Sequence, residues 1–432
     1  MMSIRMQVAL TLALASGGLG CYRRTVYCAA DFPCEPGYTC DLPTRLCLPL
    51  GDGGAADDQS GDAMPPPPAC TQFSSSPQAL PTDTTKLSTG SNYGQAIAIS
   101  SMNWVAIGAP GQSPAGAVEL YSFGTGTTLN PGPLLASPNS VSFGAALAFS
   151  SNGKTLFIGA PQDDTGKVYV YTWNGSTWED AHSPIQSMQA GTSGFGQALA
   201  TAGDDLIVGA PGTNGNSGAV FTFSATSPWS AKGAALSGTA TEYFGAAIAL
   251  ASGRLLVGAP NSGRGSIYAF IGAGGDWKKG GVDQSSLALG GGARFGTTIA
   301  MTDSAALVGA PMDGNGGSVS FFAWSSATSS WVYQSSLQNA GGTSTDSFGT
   351  AVALYGTSAL VGAPNAMGGV GKGALYFQSA GWGSPIALST GDAPTYFGSA
   401  AAISSKLAIV GASGTTVAGN AKGRAFVYPC SP

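Results

Sequence analysis

Charge is scarce in this chain. Only 9% of its 432 residues are Asp, Glu, Lys or Arg, against roughly 25% in an average soluble protein. The 17 basic and 22 acidic side chains are scattered, with no basic stripe of the kind that neutralises phosphates, which argues against nucleic-acid binding. The surface must instead be built from Ser, Thr, Asn, Gln and Gly, a composition suited to the outside of a cell. Histidine is scarcer still. His182 stands alone in the polar segment EDAHSP, and no serine sits in a Gly-x-Ser-x-Gly elbow, so a Ser-His-Asp triad has no visible parts. No segment after the N-terminus has helical periodicity.

What the chain does have is repetition. Aromatic-Gly pairs stand at Tyr93-Gly94, Phe143-Gly144, Phe195-Gly196, Phe244-Gly245, Phe295-Gly296, Phe348-Gly349 and Phe397-Gly398, in steps of 49 to 53 residues. Roughly fifteen residues after each comes Gly-Ala-Pro, beginning at Gly108, Gly159, Gly209, Gly258, Gly309 and Gly362, with Gly411-Ala412-Ser413 as a degenerate seventh copy. A Gly and an alternating β-rich run follow: Gly116-AVELYSF, Gly166-KVYVYTW, Gly218-AVFTFS, Gly265-SIYAFI, Gly317-SVSFFAW, Gly373-ALYFQS and Gly423-RAFVY. A weaker fourth strand follows a turn bearing Trp178, Trp229, Trp277, Trp331 or Trp382 and carries Ile185, Leu236, Leu287, Leu337 or Ile386. Four short antiparallel strands at a period near fifty describe a propeller blade. The expected fold is all-β, a seven-bladed β-propeller of four-stranded antiparallel blades over residues 70–432, preceded by a small disulfide-rich module.

Physical constraints agree with the residue choices. First strands such as AIAIS and ALAFS are made of small residues, which suit the crowded axis of a ring. Proline lacks the donor that a sheet ladder needs, so Gly-Ala-Pro should end the second strand. Trp104, in a second strand, is expected to be buried, and the other tryptophans to pack at the rim rather than to stack on sugars.

These motifs resemble the FG-GAP repeat, the unit of integrin α-chain propellers and of many bacterial secreted proteins. In integrin propellers the loops joining second to third strands share an end with those leading into each first strand, and ligands dock there. In this chain the former are residues 111–116, 162–166, 212–218, 261–265, 312–317, 365–373 and 414–423. Their candidate binding-face residues are Asp163, Asp164, Asn214, Asn216, Arg264, Asp313 and Asn315. Asp163, Asp164 and Asp313 also read as turn-supporting residues. Integrin-like repeats often hold calcium between first and second strands, but here those connections carry only Asp204-Asp205 or Asp303, too few oxygens for a site. No metal and no cofactor are expected. The resemblance implies a monomeric binding or scaffolding module for a protein or glycan partner, not an enzyme. A polysaccharide-binding lectin or a hydrolase with paired loop carboxylates is the alternative.

The N-terminus reads as an export signal over residues 1–20, with Arg5, an apolar run from Val8 to Ala15 too short to span a bilayer, and small residues before Cys21. That end resembles a bacterial lipobox, which implies lipidation of Cys21 and a membrane anchor. Ordinary signal cleavage is the alternative. Because Tyr22 and not Asp follows Cys21, the resemblance points to the outer membrane. Removing Cys21 from the seven cysteines leaves an even set. Cys28, Cys34, Cys40 and Cys47 are expected to form two disulfides in a module over residues 21–48 too small for a core, zinc being the alternative. Residues 49–69, with GDGGAADDQSGDAMPPPP, form a linker.

Cys70 and Cys430 remain. The seventh repeat ends at its third strand, so the segment after Cys70 (TQFSSSPQAL) should supply its fourth. A Cys70–Cys430 disulfide would clasp that joint.

Overall fold

The computed structural model describes residues 38–41, 46–49, 70, 72–74, 76–80, 86–124, 126–137, 140–239, 241–314, 316–339, 342–378, 381–388, 390, 394–417 and 420–430. The chain divides into two compact units, Met1–Pro65 and Pro66–Pro432. In the first, Tyr38–Asp41 and Leu46–Pro49 pair as an antiparallel hairpin whose register sets Cys40 opposite Cys47. Cys21, Cys28, Cys34 and the pairing of the four clustered cysteines lie outside the described residues, as does most of the linker.

The second unit is a seven-bladed propeller. Blade 1 runs from its inner strand Ala96–Ile99 through Trp104–Ala109 and Ala117–Phe123 to Leu129–Leu135, each strand antiparallel to the next. Blades 2, 3, 4 and 6 repeat this order. Every second strand ends on the Ala of Gly-Ala-Pro or Gly-Ala-Ser, from Ala109 in blade 1 to Ala412 in blade 7. In six blades the following proline closes the ladder by lacking an N–H. The inner strands neighbour one another in a closed cycle, with Phe397–Ile403 of blade 7 returning to Ala96–Ile99 of blade 1.

Blade 7 is completed from the other end of the domain. Its sheet holds Phe397–Ile403, Leu407–Ala412, Arg424–Pro429 and, outermost, Gln78–Ala79. Cys70 and Cys430 form a disulfide beside this strand with Cα atoms 5.8 Å apart. Phe73 bridges Cys430, and Ser74 N–H donates to the Pro429 carbonyl at 2.8 Å.

The hydrophobic core is divided into seven clusters, and each lies between two neighbouring blades rather than within one. Leu120 of blade 1 packs with Phe143 and Ile158 of blade 2, and Leu407 and Val427 of blade 7 pack with Tyr93 and Tyr121 of blade 1. All seven motif aromatics are buried. Burial of one such ring is worth roughly 1.5–3 kcal/mol, so the aromatic of each pair is a wedge holding two blades together.

Three sequence expectations are corrected. In blade 6 the glycine before the third strand is Gly371, which bridges Phe397, and the strand is Lys372–Phe377. The run GVGKG offers three glycines, and the first strand of the next blade selects between them. In blade 4 the fourth strand ends at Lys279, before Leu287. The chain then sends Gly281–Asp283 across to pair in parallel with Ser330–Gln338, making blade 5 five-stranded. Trp104 is only half-buried, because it lies at the blade end against Trp173 and Trp178, with centroids at 4.9 and 5.6 Å.

Candidate binding face

The loop-rich end of the propeller is built from one turn used seven times. The residue before each aromatic accepts a backbone hydrogen bond from the residue after the glycine, as Ala145 N–H to Ser142 O and Ala246 N–H to Tyr243 O, both 3.1 Å. The glycine is the third residue of this turn, with φ of +94° at Gly144. That is the position at which a type II turn requires positive φ and so selects glycine. The aromatic-Gly pair is therefore a turn that drops the chain from the rim into the inner strand while driving the ring between blades.

The first residue of the turn also has positive φ in every blade: Asn92, Ser142, Gly194, Tyr243, Arg294, Ser347 and Tyr396 lie between 54° and 70°. Asn and Gly tolerate this region, but Tyr and Arg are disfavoured there. Strain of this kind, about 1–3 kcal/mol per residue, is held only where the surrounding structure enforces it. Tyr243 and Tyr396 are 37% and 45% exposed, and Arg294, next after Tyr243 in the ring order, is exposed as well.

The loops after Gly-Ala-Pro meet these turns. Ser142 Oγ donates to Gln162 Oε1 at 2.8 Å, Asn365 Nδ2 to Ser347 Oγ at 2.9 Å, and Asn261 Nδ2 to the Thr241 carbonyl at 2.9 Å. Over blades 1 to 4 they enclose a depression of about 720 Å³ lined by Asn92, Gln95, Gln162, Gln197 and Tyr243, with Pro110, Pro161 and Pro211 in its wall. It contains amides and hydroxyls and no charged side chain.

The family model for the FG-GAP repeat matches residues 331–377, from the outer strand of blade 5 to the end of the third strand of blade 6. That stretch holds Phe348-Gly349 and Gly362-Ala363-Pro364, and the same geometry recurs around the ring. The chain is an FG-GAP-repeat-containing seven-bladed β-propeller. No curated protein is significantly similar to it in sequence.

Of the seven side chains singled out on this face of the FG-GAP propeller, three serve internal contacts. Asp163 is buried and accepts from Lys167 Nζ at 2.9 Å and Tyr169 OH at 2.7 Å. That hydrogen bond holds the Lys167 ammonium above its ordinary pKa. Asp313, also buried, accepts from Gly290 N–H at 3.0 Å and Ser318 Oγ at 2.7 Å. Arg264 donates to the Leu287 and Gln284 carbonyls at 2.9 and 3.2 Å, tying down the strandless end of blade 4. Asp164 and Asn214 are exposed, each with positive φ, and Asn216 is half-buried with φ of 72°. Asn315 lies outside the described residues. Sequence reasoning missed Tyr243, Arg294 and Tyr396, because the position before the aromatic has no common residue type.

Two further buried carboxylates stabilise the same end. Glu242 accepts from Tyr268 OH at 2.9 Å and Thr239 N–H at 2.6 Å. Asp346 is bound by Thr343 Oγ1 and by Asn339 Nδ2, and these hydrogen bonds outweigh its desolvation and hold its pKa low. At the opposite end Lys232 joins Asp204 and Asp205, both at 3.0 Å. Among the described residues no three His, Cys, Asp or Glu side chains converge as metal ligands. Trp178, Trp229 and Trp331 are buried, and half-buried Trp277 donates to Thr222 Oγ1 at 2.9 Å.

Proposed function

We propose that this FG-GAP propeller is a non-catalytic binding module that docks a protein partner on its loop-rich face, displayed from the cell envelope by a lipid on Cys21 and the linker at 49–69. The observation that carries this reading is the distribution of exposed large apolar side chains. Among the described residues these are Met102, Val141, Met188, Tyr243, Ile271, Met312, Met367, Ile386 and Tyr396. Val141, Met188, Tyr243, Met312, Met367 and Tyr396 all belong to loops of the one end, whereas the opposite end and the rim share three. Tyr, Met and Arg are the residues that interface centres favour, and Arg294 adds the third type. The acidic side chains most deeply placed there are used internally, which supports binding over hydrolysis.

The amide-lined depression favours a second reading, a neutral glycan held by hydrogen bonds. Tyr243→Asn and Tyr396→Asn test the two. Asn already occupies the same turn position at Asn92 and tolerates its φ, so folding is retained. Full-length wild-type and variant chains serve as bait for detergent-solubilised envelopes, with captured proteins and glycans both identified. A protein retained by the wild type and weakened at least about tenfold by the double variant supports the reading. A glycan enriched alone, and lost on Gln162→Ala, replaces it with the lectin.

A further inference from the structure

Blade 6 carries a cavity beside its third strand, larger than the one of about 370 Å³ at the corresponding place in blade 4. Two positions after the glycine that begins each third strand stand Val118, Val168, Val220, Ile267 and Val319 in blades 1 to 5, but Gly373 in blade 6 and Ala425 in blade 7. One position further stand Glu119, Tyr169, Phe221, Tyr268 and Phe426, yet Ser320 in blade 5 and Ala374 in blade 6. Where that residue is aromatic it packs edge-on to the motif aromatic of its own blade, as Tyr169 on Phe143 at 5.2 Å and Phe426 on Phe397 at 5.5 Å. In blade 5 the shortfall is made up from the fourth strand, where Tyr333 packs on Phe322 at 5.9 Å. Blade 6 has only the three-residue strand Ile386–Leu388 on that side.

The space left has a volume of about 620 Å³, and its lining includes Phe348, Val361, Tyr376, Leu388 and Phe397, with Lys372 among the polar residues. That is within the range of small-molecule sites. Tyr376 is 4% exposed, and burial alone pushes its phenol up to about 12. Its hydroxyl has no hydrogen-bond partner among the described residues, and it opens on the cavity instead of being sealed from water, so its donor is available to a ligand. By contrast, the buried hydroxyls of Tyr93, Tyr121 and Tyr169 are all hydrogen-bonded.

We infer that this cavity is a binding site for a small, neutral, flat aromatic molecule carrying one hydrogen-bond acceptor, which takes the Tyr376 hydroxyl while its ring packs among Phe348, Phe397 and Leu388. The inference stands apart from the docking face, and neither depends on the other. An isosteric pair of probes tests it on the full chain: 2-acetylnaphthalene, which has a carbonyl acceptor, and 2-ethylnaphthalene, which has none. The expected result is saturable binding of both by ligand-observed NMR, with the ketone about tenfold tighter, the worth of one net hydrogen bond. Tyr376→Phe should make the two equal, and Ala374→Phe, which restores the residue of blades 3 and 7, should abolish both. Intermolecular NOEs from the ketone to the Leu388 methyl groups locate the site without any variant. Absence of saturable binding to the wild type overturns the inference, as do NOEs confined to other residues or a folded Ala374→Phe chain that binds the probes unchanged.

Discussion

Gly411 of blade 7 lies against Gly94 of blade 1 so closely that a Cβ on Gly411 would collide with the Gly94 carbonyl oxygen, while a Cβ on Gly94 would collide with the carbonyl of Arg424. The same relation joins Gly108 to Gly144 and Gly362 to Gly398. The second motif of one blade is therefore the seat for the first motif of the next, and the spacing between them sets how closely blades approach. Gly94 bears the added constraint of φ at +89°. Gly94→Ala and Gly411→Ala should each destabilise the propeller by about 2–4 kcal/mol in urea unfolding. Gly124→Ala, where nothing stands within 4 Å of the new methyl, should change stability by less than about 0.5 kcal/mol. Equal effects at the three sites would refute the seating role.

The Cys70–Cys430 disulfide spans 360 residues of sequence and holds the strand that completes blade 7. Only Gln78 and Ala79 pair with Arg424–Pro429 there, so the seam has little ladder of its own. Reduction, or Cys70→Ser with Cys430→Ser, should cost about 2–5 kcal/mol of unfolding free energy. Hydrogen exchange should rise first in residues 72–80, and uniform exchange across all blades would show that the seam is not the weak point.

Much of this architecture is legible in the sequence because it repeats. Seven aromatic-Gly pairs fix the blade count, and Ala79-Leu80 matches the fourth-strand position of the other repeats, where Gln78–Ala79 pairs with Arg424–Pro429. The departures occur where a choice depends on the neighbouring blade. Gly371 is distinguished from Gly373 by its φ of +92° and its bridge to Phe397, and Gly281–Asp283 leaves blade 4 to pair with the edge of Ser330–Gln338. The candidate face was half-legible for a similar reason. Polar type and loop position single out Asp163, Asp313 and Arg264, but their partners Tyr169, Gly290 and the Leu287 carbonyl come from other strands and loops. Tyr243 and Tyr396 were hidden because a backbone conformation, not a residue preference, puts them on the surface.

Acid stability should depend on Asp204. Its carboxylate is lowered to about 2, first by the hydrogen bond from Thr226 and then by Lys232. A depressed folded pKa stabilises the fold above the unfolded value, near 3.8, and that contribution disappears as pH falls through about 2. Asp204 is 55% exposed, so solvent screening keeps the effect small. Asp204→Asn should flatten the decline in unfolding midpoint between pH 4 and pH 2, and an NMR titration of the wild type should leave this carboxylate ionised at pH 3. A midpoint near 4 in that titration would rule out the assignment.

Alkaline stability should be set by the blade interfaces. Tyr93 takes the place that phenylalanine holds in the other six aromatic-Gly pairs, and its hydroxyl meets Tyr121 OH at 2.9 Å, which in turn donates to Glu119 at 2.7 Å. Burial first, then Tyr121 and Glu119, raises Tyr93 well above 10.0. Burial also raises Tyr171 and Tyr268 to about 12, helped at Tyr171 by Asp180 and at Tyr268 by Glu242. Because these folded pKa values exceed the unfolded one, their contribution is complete below pH 10 and is lost as pH climbs towards 12. An ultraviolet titration should therefore show a first group of tyrosines ionising near pH 10 and a second group ionising only with unfolding. Tyr93→Phe restores the common motif and removes one phenol from the blade 7 to blade 1 seam, so it should raise the pH at which the second phase begins. If all fourteen tyrosines ionise in one step near pH 10 while near-ultraviolet dichroism stays native, the rings between blades are reached by water and the wedge role of the motif aromatics fails.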